Sequence, residues 1–149
     1  MELKIETATI KQLDQLLKIE EDCFDQEAFT KQQIAYLLSD FNTIALIAKS
    51  NVDIAGFVIA QIEVEENTEY GHIVTINVAP KFRRKGIATR MLQEIESFLK
   101  QRSITQIRLE VREDNNTALK LYNKLDYKTQ GKLDRYYGNK HGIYLKKTF

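Results

Sequence analysis

Runs of alternating hydrophobic and polar residues and runs with helical spacing follow one another along the chain. Residues 3–6 alternate with period two, which is typical of a strand with one exposed face. Thr9 and Gln12 then form a T-x-x-Q capping box, and a second box lies at Thr30 and Gln33. Apolar residues recur at helical spacing at Ile10, Leu13, Leu16, Leu17 and Ile19. This part of the chain therefore predicts a strand followed by two helices.

The middle of the chain has strand character. Apolar and β-branched runs at 43–49 and 54–64 flank the turn residues 51–53, which predicts a hairpin. The polar residues 65–70 predict a loop, and the β-branched run 72–78 predicts a further strand.

Helices and strands continue to alternate in the C-terminal half. The remaining predicted elements are a helix at 87–99, a strand at 104–111, a helix at 117–125 and strands at 127–133 and 143–149. A strand, a long helix and a strand imply a right-handed parallel crossover, whereas hairpins imply antiparallel neighbours. The order β-α-α-β-β-β-α-β-α-β-β thus predicts an α/β (α+β) fold, with four helices around a mixed central sheet of about seven strands.

Composition and charge exclude several classes of protein. The 149 residues suffice for one domain, which we expect to span residues 1–149, and 43% hydrophobic with 29% charged residues is typical of a globular protein. A net charge of +1 gives no field that would attract nucleic acid. Cys23, His72 and His141 are too scattered for a metal site. Charged residues alternate with apolar ones at 1–12, so we expect no secretion signal, and no apolar run approaches the ~20 residues of a membrane span. We therefore expect a cytoplasmic location.

The segment 78–89 joins a predicted strand to the long helix and has the composition of an anion-binding turn. Three consecutive cations, Arg83, Arg84 and Lys85, precede Gly86. The first N–H groups of a helix lack internal acceptors and lie at the positive end of its dipole, so they stabilise a phosphate. Gly86 has no Cβ to hold a diphosphate away from the main chain. The alternative is a solvated basic helix start with a glycine turn.

A second group of polar residues lies on the strand, turn and helix that follow. Glu110 alternates with Leu109 and Val111 and so lies off the apolar face of its strand, where pairing with an arginine is the alternative to a catalytic role. Asn115 is placed to cap the next helix. Tyr122 lies on the apolar face of that helix, where a tyrosine is by default a core residue.

Residues 83–88, with the pattern R-x-x-G-x-A after a strand and V-x-P, resemble the acyl-CoA loop of the GNAT acetyltransferases. The resemblance implies the GNAT fold, in which a β-bulge splays the parent strand from its neighbour, with acetyl-CoA as cosubstrate and no metal. One main-chain N–H at the bulge, near Asn77 or Val78, would polarise the thioester carbonyl. The implied cofactor-binding residues are Ile76, Asn77, Val78, Arg83, Arg84, Lys85, Gly86, Ile87, Ala88 and Thr89.

The pattern L-E-V-R…N…A…L-Y at 109–122 resembles the N-terminal α-amine acetyltransferases of the ribosomal-protein-alanine type and their archaeal relatives. This resemblance covers most of the chain. It implies Glu110 as the base, Asn115 as a ligand of the pantetheine arm and Tyr122 as a proton donor facing the thioester sulfur. His72 matches a branch in which a histidine joins the glutamate in a water-linked proton path, and packing or a structural hydrogen bond is the alternative.

The segment 134–138 resembles the paired-tyrosine hairpin with which these enzymes grip a peptide, so Tyr136 and Tyr137 would bind the acceptor. A tyrosine-rich packed strand is the alternative. The turn 139–142 is more basic than in relatives, so the acceptor's identity stays open. The opposite wall would be the loop between the first two helices, with Phe24, Asp25, Glu27 and Phe29.

These features predict direct acetyl transfer to the α-amino group of protein N-termini, ribosomal or nascent chains among them, with a carboxylate base acting through water. No covalent intermediate is expected, since Cys23 lies far in sequence from the constellation and is predicted to be a small buried apolar residue. Two alternatives are an acetyltransferase for a small amine, such as a polyamine or amino sugar, and a non-catalytic acyl-CoA sensor. We expect a monomer or weak dimer with no nucleic-acid or membrane partner.

Overall fold

A computed structural model describes residues 2–24 and 27–149. These residues form seven strands, four α-helices and short 3-10 turns at Ile10–Gln12 and Pro80–Phe82. The helices are α1 (Leu13–Cys23), α2 (Lys31–Ser39), α3 (Ile87–Gln101) and α4 (Asn116–Lys124). The strands are β1 (Leu3–Thr7), β2 (Thr43–Ser50), β3 (Asp53–Glu65), β4 (Thr68–Val78), β5 (Gln106–Arg112), β6 (Lys128–Tyr137) and β7 (Lys140–Thr148). The predicted order of elements is confirmed.

Both predicted capping boxes form. Thr30 Oγ1 accepts from Gln33 N–H at 3.2 Å and Thr30 N–H donates to Gln33 Oε1 at 2.8 Å, which starts α2. At the first box Thr9 N–H donates to Gln12 Oε1 at 2.7 Å. This first box caps the 3-10 turn, so the regular helix begins one turn later than the apolar spacing predicts.

The sheet is mixed, with strand order β1-β2-β3-β4-β5-β7-β6. β4 and β5 are parallel and are joined by α3, while every other neighbouring pair is antiparallel. The predicted loop at 65–70 is wrong, because β3 and β4 extend to a tight turn at Glu66 and Asn67. Both turn residues have positive φ, at 50° and 64°, which suits the twist of a two-residue hairpin.

Helices cover the two faces of the sheet in pairs. α3 and α4 pack on one face, in a core that includes Met91, Leu92, Ile95, Tyr122 and Tyr127. α1 and α2 pack on the other face, in a core that includes Leu16, Ile19, Ile34, Phe57 and Ile59. None of the helices described is both long enough and apolar enough to cross a membrane.

We expect Gly56→Ala to destabilise the fold, because a Cβ at Gly56 would lie 2.5 Å from the main-chain oxygen of Asn77 on β4. Strand β4 would have to shift, at a cost of about 1–3 kcal/mol in the free energy of unfolding. Urea unfolding measures this change in the free energy of unfolding. The control is Gly131→Ala, where a Cβ meets nothing within 4 Å, and equal stability of both variants would contradict the close approach.

Candidate active site

The strands β4 and β5 separate soon after they meet. They pair only where Gly71 lies opposite Ile107 and His72 lies opposite Arg108. On its other edge β4 stays paired with β3, and a register shift inserts Val74 as a β-bulge. The predicted splay is therefore present, and it opens a gap in the sheet beyond His72.

The main chain of β4 presents alternate residues to this gap. Ala79 N–H donates to a β3 carbonyl at 2.8 Å, so Asn77 also pairs with β3, while Ile76 and Val78 point away from it. The bulge lies at Val74, nearer the start of the strand than the predicted position at Asn77 or Val78. Of those two residues, only Val78 directs its N–H toward the gap.

The turn before α3 offers a row of unpaired main-chain donors. Arg84 and Gly86 have positive φ, at 63° and 74°, and Gly86 caps the helix. The helical bonds begin with Arg90 N–H donating to Gly86 O at 3.1 Å. The N–H groups of residues 84–89 donate to no other described main-chain group, and a Cβ at Gly86 would meet nothing within 4 Å. Such a concave row of N–H groups at a helix start can hold an anion.

Arg83 faces the end of β4 and not the row of N–H groups. Its Nε donates to Val78 O at 3.2 Å and its Nη2 to Cys23 Sγ at 3.5 Å. The Cys23 thiol also lies 3.5 Å from Val78 O, so Cys23 is half-buried next to the site and not remote from it. Burial raises the pKa of the Cys23 thiol, and the hydrogen bond and charge of Arg83 offset only part of this rise. The Val78 carbonyl, one of the main-chain groups of β4 at the gap, therefore already accepts from these two side chains.

His72 lies between two carboxylates on the α1 face of the sheet. Its Nε2 is 2.8 Å from Glu110 Oε1, and its Nδ1 is 2.7 Å from Glu63 Oε2. Burial alone would lower the pKa of His72, but hydrogen bonds and charges of Glu110 and then Glu63 raise it above the ordinary 6.5. The structure thus brings the predicted pair Glu110 and His72 into contact, with Glu110 Oε1 engaged by the ring.

A second layer of polar residues supports this group. Tyr70 OH donates to Glu63 Oε1 at 2.9 Å. The Arg108 guanidinium lies 3.8 Å from the centre of the Tyr70 ring and pairs with both oxygens of Glu65, at 3.1 and 3.2 Å. Burial, followed by the Glu63 carboxylate, raises the pKa of Tyr70 to about 12. These residues line a cavity of about 310 Å³ together with His72, Glu110, Leu133 and Tyr144.

Tyr122 and Asn115 lie on α4 and at its start. The Tyr122 ring is buried against Tyr127, edge to face at 5.6 Å between centroids, and burial raises the pKa of its hydroxyl. The Asn115 Oδ1 accepts from Ala118 N–H at 3.2 Å, so this side chain caps the helix. Tyr122 belongs to the α3 face and Glu110 to the opposite face, on either side of the gap.

Tyr136 and Tyr137 stand beside this gap at the end of β6. Their rings lie edge to face, 4.9 Å apart. Burial raises the pKa of Tyr137 most, and Tyr136, Glu110 and Tyr122 raise it further. Burial and then the charge of Glu110 likewise raise the pKa of Tyr136. The hairpin tyrosines are therefore close to the base candidate.

The loop between α1 and α2, predicted to form the wall opposite the hairpin tyrosines, matches the prediction only in part. Phe29 N–H donates to Glu20 Oε2 at 3.1 Å, which anchors the loop before α2. The Glu27 carboxylate accepts from Arg112 at 2.8 Å, so an internal cation already neutralises it. Phe24 is half-buried beyond the end of α1. Asp25 lies outside the described residues.

Sequence reasoning missed Glu63, Tyr70 and Arg108 as members of the site. A signal was present, since Gln61, Glu63 and Glu65 alternate with apolar residues late in β3. Alternation places their side chains on one face of the strand, but it does not identify what lies opposite them.

A family model described as the acetyltransferase (GNAT) family matches residues 11–127. The chain is 28% identical, over 153 aligned residues, to an N-alpha-acetyltransferase of Sulfurisphaera tokodaii, covering 97% of this chain and 91% of the relative.

Solved structures share the fold. Ard1 from Thermoplasma volcanium has a TM-score of 0.90 at 20% identity, covering 99% of this chain and 98% of that one. The ribosomal-protein-S18-alanine N-acetyltransferase of Escherichia coli has a TM-score of 0.88 at 20% identity, covering 99% of this chain and 94% of that one.

The raised pKa of His72 makes stability depend on pH. Pairing stabilises the folded state fully below the unfolded pKa of 6.5 and is lost as the pH rises through the higher folded value. The free energy of unfolding should therefore fall relative to that of His72→Gln above this pH, by at most ~1.4 kcal/mol per pH unit. Urea unfolding from about pH 6 to about pH 9 measures the difference. Parallel curves for the two proteins would contradict the pairing.

Proposed function

The chain belongs to the GNAT family of acetyltransferases, and we propose that it transfers the acetyl group of acetyl-CoA to the α-amino group of protein N-termini. Family membership makes it an acetyl-CoA-dependent N-acetyltransferase. One observation carries the rest, namely that a row of free N–H groups before α3 and the pair Glu110 and His72 lie on the same splayed gap. The name of the Sulfurisphaera relative supports an α-amine as acceptor.

The turn before α3 would hold the diphosphate of acetyl-CoA. Residues 84–89 supply six main-chain donors at the positive end of α3, and the open space before Gly86 admits a phosphate closely. Main-chain groups of Ile76 in the gap would pair with pantetheine as an added strand does. The Asn115 side chain would offer its amide nitrogen to this arm, since its oxygen caps α4.

The acceptor amine must lose a proton before it attacks. An α-ammonium has a pKa of about 8 and a lysine about 10.4, so deprotonation at pH 7 costs roughly 1 kcal/mol for the first and roughly 5 for the second. A carboxylate acting through water suffices for the easier case. Glu110 would be this base, because His72 contacts only its Oε1, and the carboxylate lies next to Tyr136 of the hairpin where the acceptor would bind.

Val78 and Tyr122 would serve the thioester. The Val78 N–H, directed into the gap, would polarise the carbonyl. Burial raises the pKa of Tyr122 well above that of a thiol, near 8.5, so Tyr122 stays protonated and stabilises the departing thiolate as a hydrogen-bond donor. Direct attack needs no covalent enzyme intermediate, and the raised pKa of the Cys23 thiol is consistent with that.

The acceptor would enter between the hairpin tyrosines and the loop before α2. Tyr136 and Tyr137 present two aromatic rings with hydroxyls next to Glu110, which suits the first residues of an extended peptide. Ribosomal and nascent chains are peptides of this kind, and a monomer or weak dimer would leave the entrance open. Because Arg112 neutralises Glu27, attraction of the ammonium falls mainly to the carboxylates around His72.

We expect Gly86→Ala to weaken binding of coenzyme A at least about tenfold. An alanine at φ 74° is strained by about 1–2 kcal/mol, and its Cβ enters the space before the N–H row. Isothermal titration calorimetry measures the affinity. Gly138→Ala is the matched control, with φ 66° and equally open surroundings, and an equal loss in both variants would refute the anion site.

We expect Glu110→Gln to lower turnover about 10²- to 10⁴-fold with the affinity for acetyl-CoA unchanged. Thiol release with peptides bearing free Met, Ser or Ala ends measures turnover, and Glu94→Gln, exposed on α3, is the control. Equal losses of turnover and affinity would make Glu110 structural. Faster reaction with polyamines would favour the small-amine alternative, and binding without thiol release would favour the sensor.

A further inference from the structure

Glu63 is hydrogen-bonded to both His72 and Tyr70, and the function described so far gives Glu63 no role. Its Oε2 lies 2.7 Å from His72 Nδ1, on the side of the ring opposite Glu110. Its Oε1 accepts from Tyr70 OH at 2.9 Å. Both oxygens of Glu63 are thus engaged, although its side chain is 37% exposed.

Between two ionised carboxylates, these distances favour one protonation form of the ring. An ionised carboxylate only accepts hydrogen bonds, and a neutral imidazole has one donor and one acceptor nitrogen. With carboxylate oxygens at 2.7 and 2.8 Å from the two nitrogens, a neutral ring would set one lone pair against another. The imidazolium, with two donors, satisfies both contacts.

The other charged groups nearby do not replace Glu63. Arg108 pairs with Glu65 and stacks on Tyr70, and both Glu65 and Tyr144 line the same cavity. From β6, Tyr136 approaches Glu110. Only Glu63 and Glu110 contact the ring nitrogens among the described residues.

We propose that Glu63 is a positioning residue for acetyl transfer: its carboxylate holds the His72 imidazolium, which fixes Glu110 with Oε2 turned to the acceptor amine. This rests on the proposed role of Glu110 as the base. The proton of the substrate ammonium passes through water to Glu110 Oε2, and the amine lone pair forms the C–N bond to the acetyl carbon. The C–S bond of the thioester breaks, and the coenzyme A thiolate leaves with its electron pair and takes up the proton that the nitrogen loses as the amide forms. No proton needs to leave His72. Tyr70 extends the same support by holding the second oxygen of Glu63.

Glu63→Gln tests the proposal, because it removes the negative charge and keeps a hydrogen-bonding oxygen of similar reach. We expect kcat with a peptide acceptor to fall about tenfold, a part of what a positioned base supplies, with KM and acetyl-CoA affinity within about twofold of wild type. Imidazole NMR should show His72 losing its proton at lower pH than in the wild type. Tyr70→Phe should also lower kcat and the pH at which His72 loses its proton, but by less than Glu63→Gln does.

The matched control is Glu69→Gln, an exposed carboxylate in the same β3–β4 hairpin that makes no ion pair in the described part of the chain. Unchanged kcat, or an unchanged His72 titration, in Glu63→Gln would overturn the proposal. The NMR titration of His72 does not require turnover, so it tests the role of Glu63 even if every amine is a poor acceptor. A wild-type enzyme without activity, but with a His72 titration that depends on Glu63, would instead refute the proposed function.

Discussion

The gap between β4 and β5 is the constraint on which the rest of the site depends. A strand in a closed sheet has its main-chain donors and acceptors paired on both edges, so nothing extended can bind to it. Here β4 stays paired with β3 on both sides of the Val74 bulge, whereas its pairing with β5 ends after His72. One edge of β4 is thereby freed, close to the start of α3, where the row of free main-chain N–H groups lies.

The gap also brings residues from opposite faces of the sheet to one opening. Glu110 and His72 lie on the α1 face, whereas Tyr122 comes from the core under α3. In an unbroken sheet the backbone layer would separate them. Their environments also differ: charged partners surround His72, while burial alone acts on Tyr122. In the proposed mechanism, burial keeps Tyr122 protonated as a hydrogen-bond donor, while the charged partners of His72 hold its ring against Glu110.

A buried carboxylate ties the loop before α2 to the splayed strand β4. Glu20 is 1% exposed and accepts from Thr75 Oγ1 at 2.8 Å, Asn77 Nδ2 at 2.9 Å and Phe29 N–H at 3.1 Å. Burying a charge is costly unless it is fully hydrogen-bonded, and three donors meet that need. The same contacts hold the loop before α2 at a fixed place relative to β4, just beyond the bulge at Val74.

The sequence by itself determined the order of elements, the two capping boxes and the glycine turn before α3. Capping, periodicity and the positive φ at Gly86 depend on residues near one another in the chain. It also placed Glu110 off the apolar face. Only the tertiary structure decided the position of the bulge, the contacts of Glu63 and Cys23, and the neutralisation of Glu27 by Arg112. Those contacts join residues far apart in sequence, and local pattern fixes the face of a side chain but not the partner it meets.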